Sequence, residues 1–388
     1  MSYLLLLITR NAFRQKLRTL LTVIGIVIAI SAFGLLRTVV DAWYGKAESA
    51  SAARLITRNA ISLLFPLPLS YKNKIQQTKG VSTISYSVWF GGIYISEKNF
   101  FPQFAIEPRS YLDLYPEYVL PVDQKKAFFL DRQGVVAGER LANKYGWKIG
   151  DTIPIRGVIY PGNWNFILRG IYRGETKGVD ETLFMFHWQL LNERIKEGKA
   201  TNENVDHVGI YIIGLEDSSQ AAKISQEIDS QFKNSPAETL TETEKVFQLS
   251  FVAMTEAIVT VIKIVSFLVI IIIMAIMANT MAMSARERKR EYATLKALGF
   301  SGNFIALLVF GESFIIAITG GILGLILLYP TAHIFVTKIG TFFPVFRVTT
   351  QTAWLSIGAA IMVGLSAAAI PAWRGATTPI LSGFRDIG

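Results

Sequence analysis

Residues 264–285 read IVSFLVIIIIMAIMANTMAMSA, an uncharged apolar run entered from Lys263 and left at Arg286. A hydrocarbon core of about 30 Å needs roughly 20 apolar helical residues, so this run predicts a transmembrane helix. Three other windows qualify on the same count. Thr19–Leu36 lies between Arg18 and Arg37, Asn303–Tyr329 is interrupted only by Glu312, and Val348–Trp373 lies between Arg347 and Arg374. The predicted fold class is a membrane protein: four transmembrane α-helices, with an α+β extracytoplasmic domain inserted between the first and second. Composition agrees, since 18% charged residues and a mean hydropathy of +0.37 are unlike a typical soluble domain with about 25% charge.

The net charge of +10 is not spread along the chain. Residues 1–40 hold five Lys/Arg and no acid, residues 41–253 hold 24 bases and 24 acids, and residues 254–388 hold ten bases and five acids. A basic chain invites a nucleic-acid reading. Here the excess sits beside apolar spans, where anchoring charges belong, and no counterion-releasing patch is left elsewhere. The absence of cysteine excludes a disulfide framework, thiolate catalysis and Cys-type zinc sites.

Lys/Arg in short loops sets orientation. Arg10, Arg14, Lys16 and Arg18 precede the first span, and Arg286, Arg288, Lys289, Arg290 and Lys296 join the second to the third. Arg374 and Arg385 follow the fourth, against only Lys338 and Arg347 between the third and fourth. The three richer segments fall on one side of a four-span model, so both termini are expected in the cytoplasm of a multi-pass protein of the inner (plasma) membrane. The expected organisation is a cytoplasmic amphipathic helix over 1–17, spans over 18–40, 254–285, 301–330 and 351–373, and a periplasmic domain over 41–253. A cytoplasmic helix over 286–300, a periplasmic loop over 331–350 and a cytoplasmic tail over 374–388 complete it. Ala50-Ser51-Ala52 has the form of a signal cleavage site, but lies far beyond an apolar run too long for a signal core. Small residues recur at helical spacing: Gly25 and Ala29, Gly320, Gly321 and Gly324, Ala360 and Gly364. Such pairs let helices pack closely, within one chain or between two.

In the inserted domain Val81–Val88, Gly92–Ser96, Phe166–Tyr172 and Val205–Ile213 have strand character. Ser218–Phe232 has helical spacing with Ser218 or Ser219 as N-cap, and Gly138–Tyr145 suggests a short helix ended by Gly146. No catalytic constellation is legible. His187, His207 and His333 are scattered, without an HExxH pair, and there is no GxSxG elbow or GxxxxGK[ST] loop. Asp180-Glu181 and Asp206 read as surface acids. Most aromatics (Trp89, Phe90, Trp147, Trp164, Trp188) are expected in the core, with Phe100 and Phe101, before Pro102, as the candidate exposed contact for an adaptor or substrate. No metal site is expected.

The segment Ala285–Ser301, ARERKREYATLKALGFS, carries the most information. Glu287 with Arg290, or Glu291 with Arg288, can pair along a helix. Gly299 is placed to end that helix in a left-handed cap, and Ser301 to cap the next. Tyr292, Leu295 and Leu298 form one apolar stripe that, between two spans, has no evident core to enter and so is available to a groove on a partner.

Here the sequence resembles a family. Arg286-Glu287-Arg288, then Arg290-Glu291-Tyr292 and Lys296-Ala297-Leu298-Gly299, looks like the ER-x-R-E-I-x-x-x-K-A-L-G signature of ABC transporter permeases of the MacB/FtsX/LolC type. Arg14–Ile26 resembles that family's entry to the first span, Gly138–Ile153 an element of its external domain, Glu312, Gly320, Gly321 and Gly324 its third span, and Pro371–Ile380 its tail. Tyr292 in place of the usual Ile and Phe300 after Gly299 depart from the pattern. The resemblance implies a subunit with no nucleotide site or cofactor of its own and no enzymatic activity. ATP and Mg belong on a separate ATPase that grips the coupling helix around Glu287, Arg288, Arg290, Glu291, Tyr292, Leu295, Lys296, Leu298 and Gly299. It also implies dimers, with a second permease copy, and mechanotransmission in place of a hydrophilic tunnel. Three outputs follow: export with a periplasmic adaptor and outer-membrane channel, signalling to a periplasmic partner such as a cell-wall hydrolase, or lipoprotein release. Glu312 is an acid inside a span, where a charge is costly and ordinarily functional.

Overall fold

The computed structural model describes residues 2–176, 178–198, 204–339 and 346–379. Its helices, in order, are α1 (Ser2–Ala12), α2 (Lys16–Ser49), α3 (Tyr71–Gln76), α4 (Pro108–Leu114), α5 (Val122–Leu130), α6 (Glu139–Tyr145) and α7 (Trp188–Lys196). They continue with α8 (Ala221–Gln231), α9 (Glu244–Met254), α10 (Glu256–Glu287), α11 (Lys289–Ala297), α12 (Gly302–Ile339) and α13 (Thr350–Thr377). Two compact units result among the described residues: a helical one from residues 2–42, 255–339 and 346–379, and an α+β one from within 43–254.

In the helical unit, α2, α10, α12 and α13 are each long and apolar enough to cross a membrane. All four run past the apolar windows of the sequence; α2 continues to Ser49 and α10 begins at Glu256. A helix does not stop where hydropathy falls, because its backbone bonds continue through any good helix former. The glycine pattern finds its use inside the chain. A Cβ on Gly320 would lie 2.7 Å from the Ile26 Cβ, and one on Gly324 3.0 Å from the Ile30 Cβ, so α12 meets α2 at near-backbone contact. Gly321 meets Ala360, and Gly364 meets Ala317. The Ser313 hydroxyl donates to the Gly364 carbonyl at 2.6 Å, tying α12 to α13. Gly25 faces the Ile273 side chain of α10, and Ala29 is buried beside it in the same core. Gly320→Val is expected to destabilise the chain by about 1–3 kcal/mol through overpacking. A Cβ on Gly358 meets nothing, so Gly358→Val is the control in a detergent thermal melt; equal melting of the two variants would contradict the close seam.

The α+β unit is built on one large sheet. Its strands are β1 (Arg54–Asn59), β2 (Leu67–Pro68), β3 (Val81–Trp89), β4 (Gly92–Ile93), β5 (Gln103–Ile106), β6 (Tyr118–Val119) and β7 (Gly134–Gly138). Then come β8 (Thr152–Gly157), β9 (Gly162–Gly174), β10 (Phe184–His187), β11 (His207–Val208), β12 (Ile210–Leu215) and β13 (Thr239–Thr243). The order across the sheet is β13-β1-β12-β3-β5-β10-β7-β9-β8-β4, with β6 pairing β9 and a separate β2–β11 ribbon. Helices cover both faces, so two apolar clusters flank the strands. One centres on Phe90, Phe101, Trp164, Phe166, Phe184 and Phe186, the other on Ile56, Tyr111, Phe128, Val136 and Tyr172.

Several local expectations shift. The strand expected over Gly92–Ser96 stops at Ile93, because Ile95 takes φ +61° and leaves the extended region. Val205–Ile213 is broken into β11 and β12 at Gly209, whose N–H bonds the Ser87 carbonyl at 3.0 Å. Asp217, not Ser218 or Ser219, caps the turn before α8, accepting the Ser219 N–H at 2.9 Å. Gly146 does end α6 in a left-handed conformation.

His187 is buried at the end of β10, its Nε2 2.7 Å from the Phe128 carbonyl oxygen. Burial, only partly offset by that hydrogen bond, lowers its pKa below 6.5. The unfolded chain then binds the extra proton first, so stability is full above about pH 6.5 and declines as pH falls below it. His187→Gln is expected to flatten that part of the melting temperature against pH; an unchanged slope would assign the acid sensitivity elsewhere.

Candidate functional site

The basic turn between α10 and α12 folds into α11, and its charges are not simply solvated. The Arg288 guanidinium donates to Glu291 at 2.9 Å through Nε and to Glu312 of α12 at 2.7 Å through Nη1. Arg14, from the elbow between α1 and α2, reaches Glu291 at 2.5 Å. Arg18 forks onto Glu287 at 2.5 and 3.0 Å, and Gln15 joins the same carboxylate at 2.5 Å. The three arginines and three glutamates thus form two linked groups that bind the end of α10 and the start of α11 to the foot of α2 and to α12. Burial resists ionisation of Glu291, but the hydrogen bonds from Arg288 and Arg14 outweigh it and hold its carboxyl below the usual range. A cavity of ≈ 140 Å³ lies among these groups, bordered by Asn11, Arg14, Thr22, Ser284, Glu287 and Glu312.

The expectation that the Tyr292 stripe has no core to enter is wrong for Tyr292 itself. Its ring is buried against Gly375 of α13, beside Ile305 of α12. Burial pushes its hydroxyl up to about 12, so it stays neutral. Leu295 is half-buried, whereas Leu298 is 72% exposed. Lys296 donates to the Ala376 carbonyl at 2.5 Å and the Thr378 carbonyl at 2.8 Å, satisfying the last carbonyls of α13. The helix ends in a complete Schellman motif. Gly299 has φ +93°, its N–H bonds Lys296 O at 3.0 Å, and the Phe300 N–H bonds Leu295 O at 3.1 Å. Phe300 then stacks on Phe304 with ring centroids 4.7 Å apart, and Ser301 accepts the Phe304 N–H at 3.3 Å.

Of the expected pairs, Glu291–Arg288 forms, while Glu287 turns to Arg18 and Gln15; Arg290 points to the exposed side. The part played by Arg14, Gln15 and Arg18 is missed by reading them only as anchoring charges. The α1 segment is a separate helix, not a ragged start of the first span; Ile8 packs against Gly311 of α12. At the opposite end of α2, Asp41 accepts from Thr352 at 2.6 Å and pairs with Arg37 at 3.2 Å. In the sheet domain Phe101 is 1% exposed and fills the cluster with Tyr94, Trp147 and Phe184, so it is no surface contact. Its neighbour Phe100 remains half-exposed beside Trp89.

Residues 263–380 match the model of the FtsX-like permease C-terminal region. Residues 19–231, more than half the chain, match that of the MacB-like periplasmic core domain. The chain belongs to the MacB/FtsX-type ABC transporter permeases. This MacB/FtsX-type permease is 24% identical over 343 residues to an uncharacterized ABC transporter permease of Methanocaldococcus jannaschii, covering 82% of this chain and 80% of that protein. Among solved structures, the extracellular domain of the noncanonic ABC-type transporter YknZ from Gram-positive bacteria matches at TM-score 0.36 and 9% identity. That likeness covers 49% of this chain and 100% of the other. A domain of a permease protein from Porphyromonas gingivalis matches at TM-score 0.35 and 14% identity, over 49% and 90%. The permease is a multi-pass membrane protein with an extracytoplasmic α+β domain, and an ABC permease implies an ATPase partner.

Proposed function

We propose that this permease transmits the motion of a separate ATPase across the inner membrane, with α11 as the coupling helix and both termini cytoplasmic. ATP and Mg sit on the partner; the chain supplies the surface that is gripped. The observation that carries this is the contrast along α11. Arg288, Tyr292 and Lys296 are tied to the spans, while Leu298, at the end of the helix, is 72% exposed. A helix fastened on one side and closed by an exposed leucine suits docking in a partner's groove. Close packing within the copy supports mechanotransmission: α12 meets α2 at Gly320 and Gly324, and α13 at Gly321, near backbone distance.

The output we favour is export of a substrate from the periplasm or outer leaflet, by a homodimer with a periplasmic adaptor and an outer-membrane channel. An extracytoplasmic domain spanning residues 43–254 is large for a mere stop-transfer connector and offers Phe100 and Trp89 as an exposed aromatic face. Aromatic residues of this kind are enriched at protein contacts. Purification of the full chain in mild detergent is expected to bring down an ATPase with a phosphate-binding loop, together with an adaptor that cross-links through a photoreactive residue at Phe100. Recovery of the chain without any ATPase would sink the coupling reading. Recovery with a cell-wall hydrolase in place of the adaptor would replace export by signalling.

A further inference from the structure

The incoming and outgoing connections of the α+β unit lie side by side. β1 follows the first and β13 precedes the second, and they pair antiparallel with Leu55 opposite Thr243 and Asn59 opposite Thr239. Where they begin, the side chains of Arg54 and Glu244 are each 8% exposed. Arg54 Nε donates to Glu244 at 2.7 Å, Nη2 to Glu117 at 2.6 Å and Nη1 to the Leu114 carbonyl at 2.8 Å. The Ser51 N–H and the Tyr115 hydroxyl add to Glu244 at 3.1 and 3.0 Å, and the guanidinium lies 4.2 Å over the Tyr115 ring. The polar seam continues along the two strands. Thr57 and Thr241 hydroxyls meet at 2.9 Å, Arg58 pairs with Glu242 at 3.3 Å, and Asp229 accepts from Thr239 and Thr241 at 2.8 and 2.7 Å.

A buried ion pair is a poor source of stability, because both ions give up hydration that an apolar pair would not need. What this one fixes is relative position. Arg54 reaches the outgoing connection through Glu244 and the end of α4 through Leu114, Tyr115 and Glu117, and α4 in turn packs on β3 and β12. We propose that Arg54 is a positioning residue that yokes the two connections, so that a displacement arriving on either reaches the sheet as one movement. This rests on the mechanical reading above. A lysine would not substitute, since its point charge lacks the fork that holds two carboxylates and a carbonyl at once.

The chain has no cysteine, so cysteines placed at the exposed Ala52 and Lys245 take spin labels alone. In the full chain with its ATPase in lipid nanodiscs, the wild-type background should give one narrow distance, the same with and without ATP. In Arg54→Met the distribution should about double in width and shift with ATP, while ATP hydrolysis stimulated by the permease is unchanged. Glu244→Gln, which keeps one acceptor oxygen and offers Tyr115 or Ser51 an amide in place of the other, serves if Arg54→Met does not fold, judged by near-ultraviolet circular dichroism. Narrow, nucleotide-independent distances in the folded variants overturn the yoke. If the wild type itself stimulates no hydrolysis, the coupling reading fails, and the resting widths still decide the role of Arg54.

Discussion

Arg288→Met should melt well below the wild type in detergent, by an amount equivalent to about 3–5 kcal/mol, the usual cost of leaving one member of a buried ion pair alone. Both partners are enclosed: the Arg288 side chain is 13% exposed and that of Glu312 9%. Removing the guanidinium leaves Glu312, among the described residues, with the Ser284 hydroxyl at 3.5 Å alone, and also strips one partner from Glu291. The double variant Arg288→Met/Glu312→Leu is the informative companion. If the pair acts as a structural tie, apolar replacement of both ions should restore most of the lost stability, since neither is then buried unpaired. If the double variant stays as unstable as the single one, the Glu291 side of the network carries the effect.

Leu298→Glu should leave insertion and melting within about 0.5 kcal/mol of wild type, as exposed substitutions do, because Leu298 is 72% exposed. Stimulation of the ATPase partner should nevertheless be lost. An unpaired carboxylate forced into an apolar groove costs roughly 3 kcal/mol, which is about a hundredfold in association. The steady-state rate of ATP hydrolysis at saturating ATP, with and without the permease, checks this. Retained stimulation would remove Leu298 from the interface. Leu295→Glu is the weaker probe, since that side chain is half-buried and its loss mixes folding with contact.

The membrane unit was legible because hydropathy needs only local composition. Ile264 to Ala285 announces a span whatever surrounds it. The seam partners were half-legible: the spacing of Gly320 and Gly324 predicts close approach, but not that Ile26 and Ile30 fill the space. The ion pairs at the foot of α2 were not, because residues some 270 positions apart in sequence, Arg18 and Glu287, meet only once the spans are packed. Phe101 misled for a related reason. A Phe-Phe-Pro cluster reads alike as a surface patch or a core plug, and the choice depends on Trp147 arriving from the turn after α6 and Phe184 from β10.

Helix α11 has nine residues, and an isolated helix below about 12–15 residues is marginal in water. It is ordered here because Tyr292 is buried, Lys296 is tied to the end of α13, and Gly299 closes its C-terminus. A partner therefore meets a helix already formed. The entropy of ordering its backbone and side chains is lost once, when the permease folds, and not again at each encounter. On the proposed coupling role, the affinity for the ATPase is then set by the exposed side chains, Leu298 among them, without a folding cost.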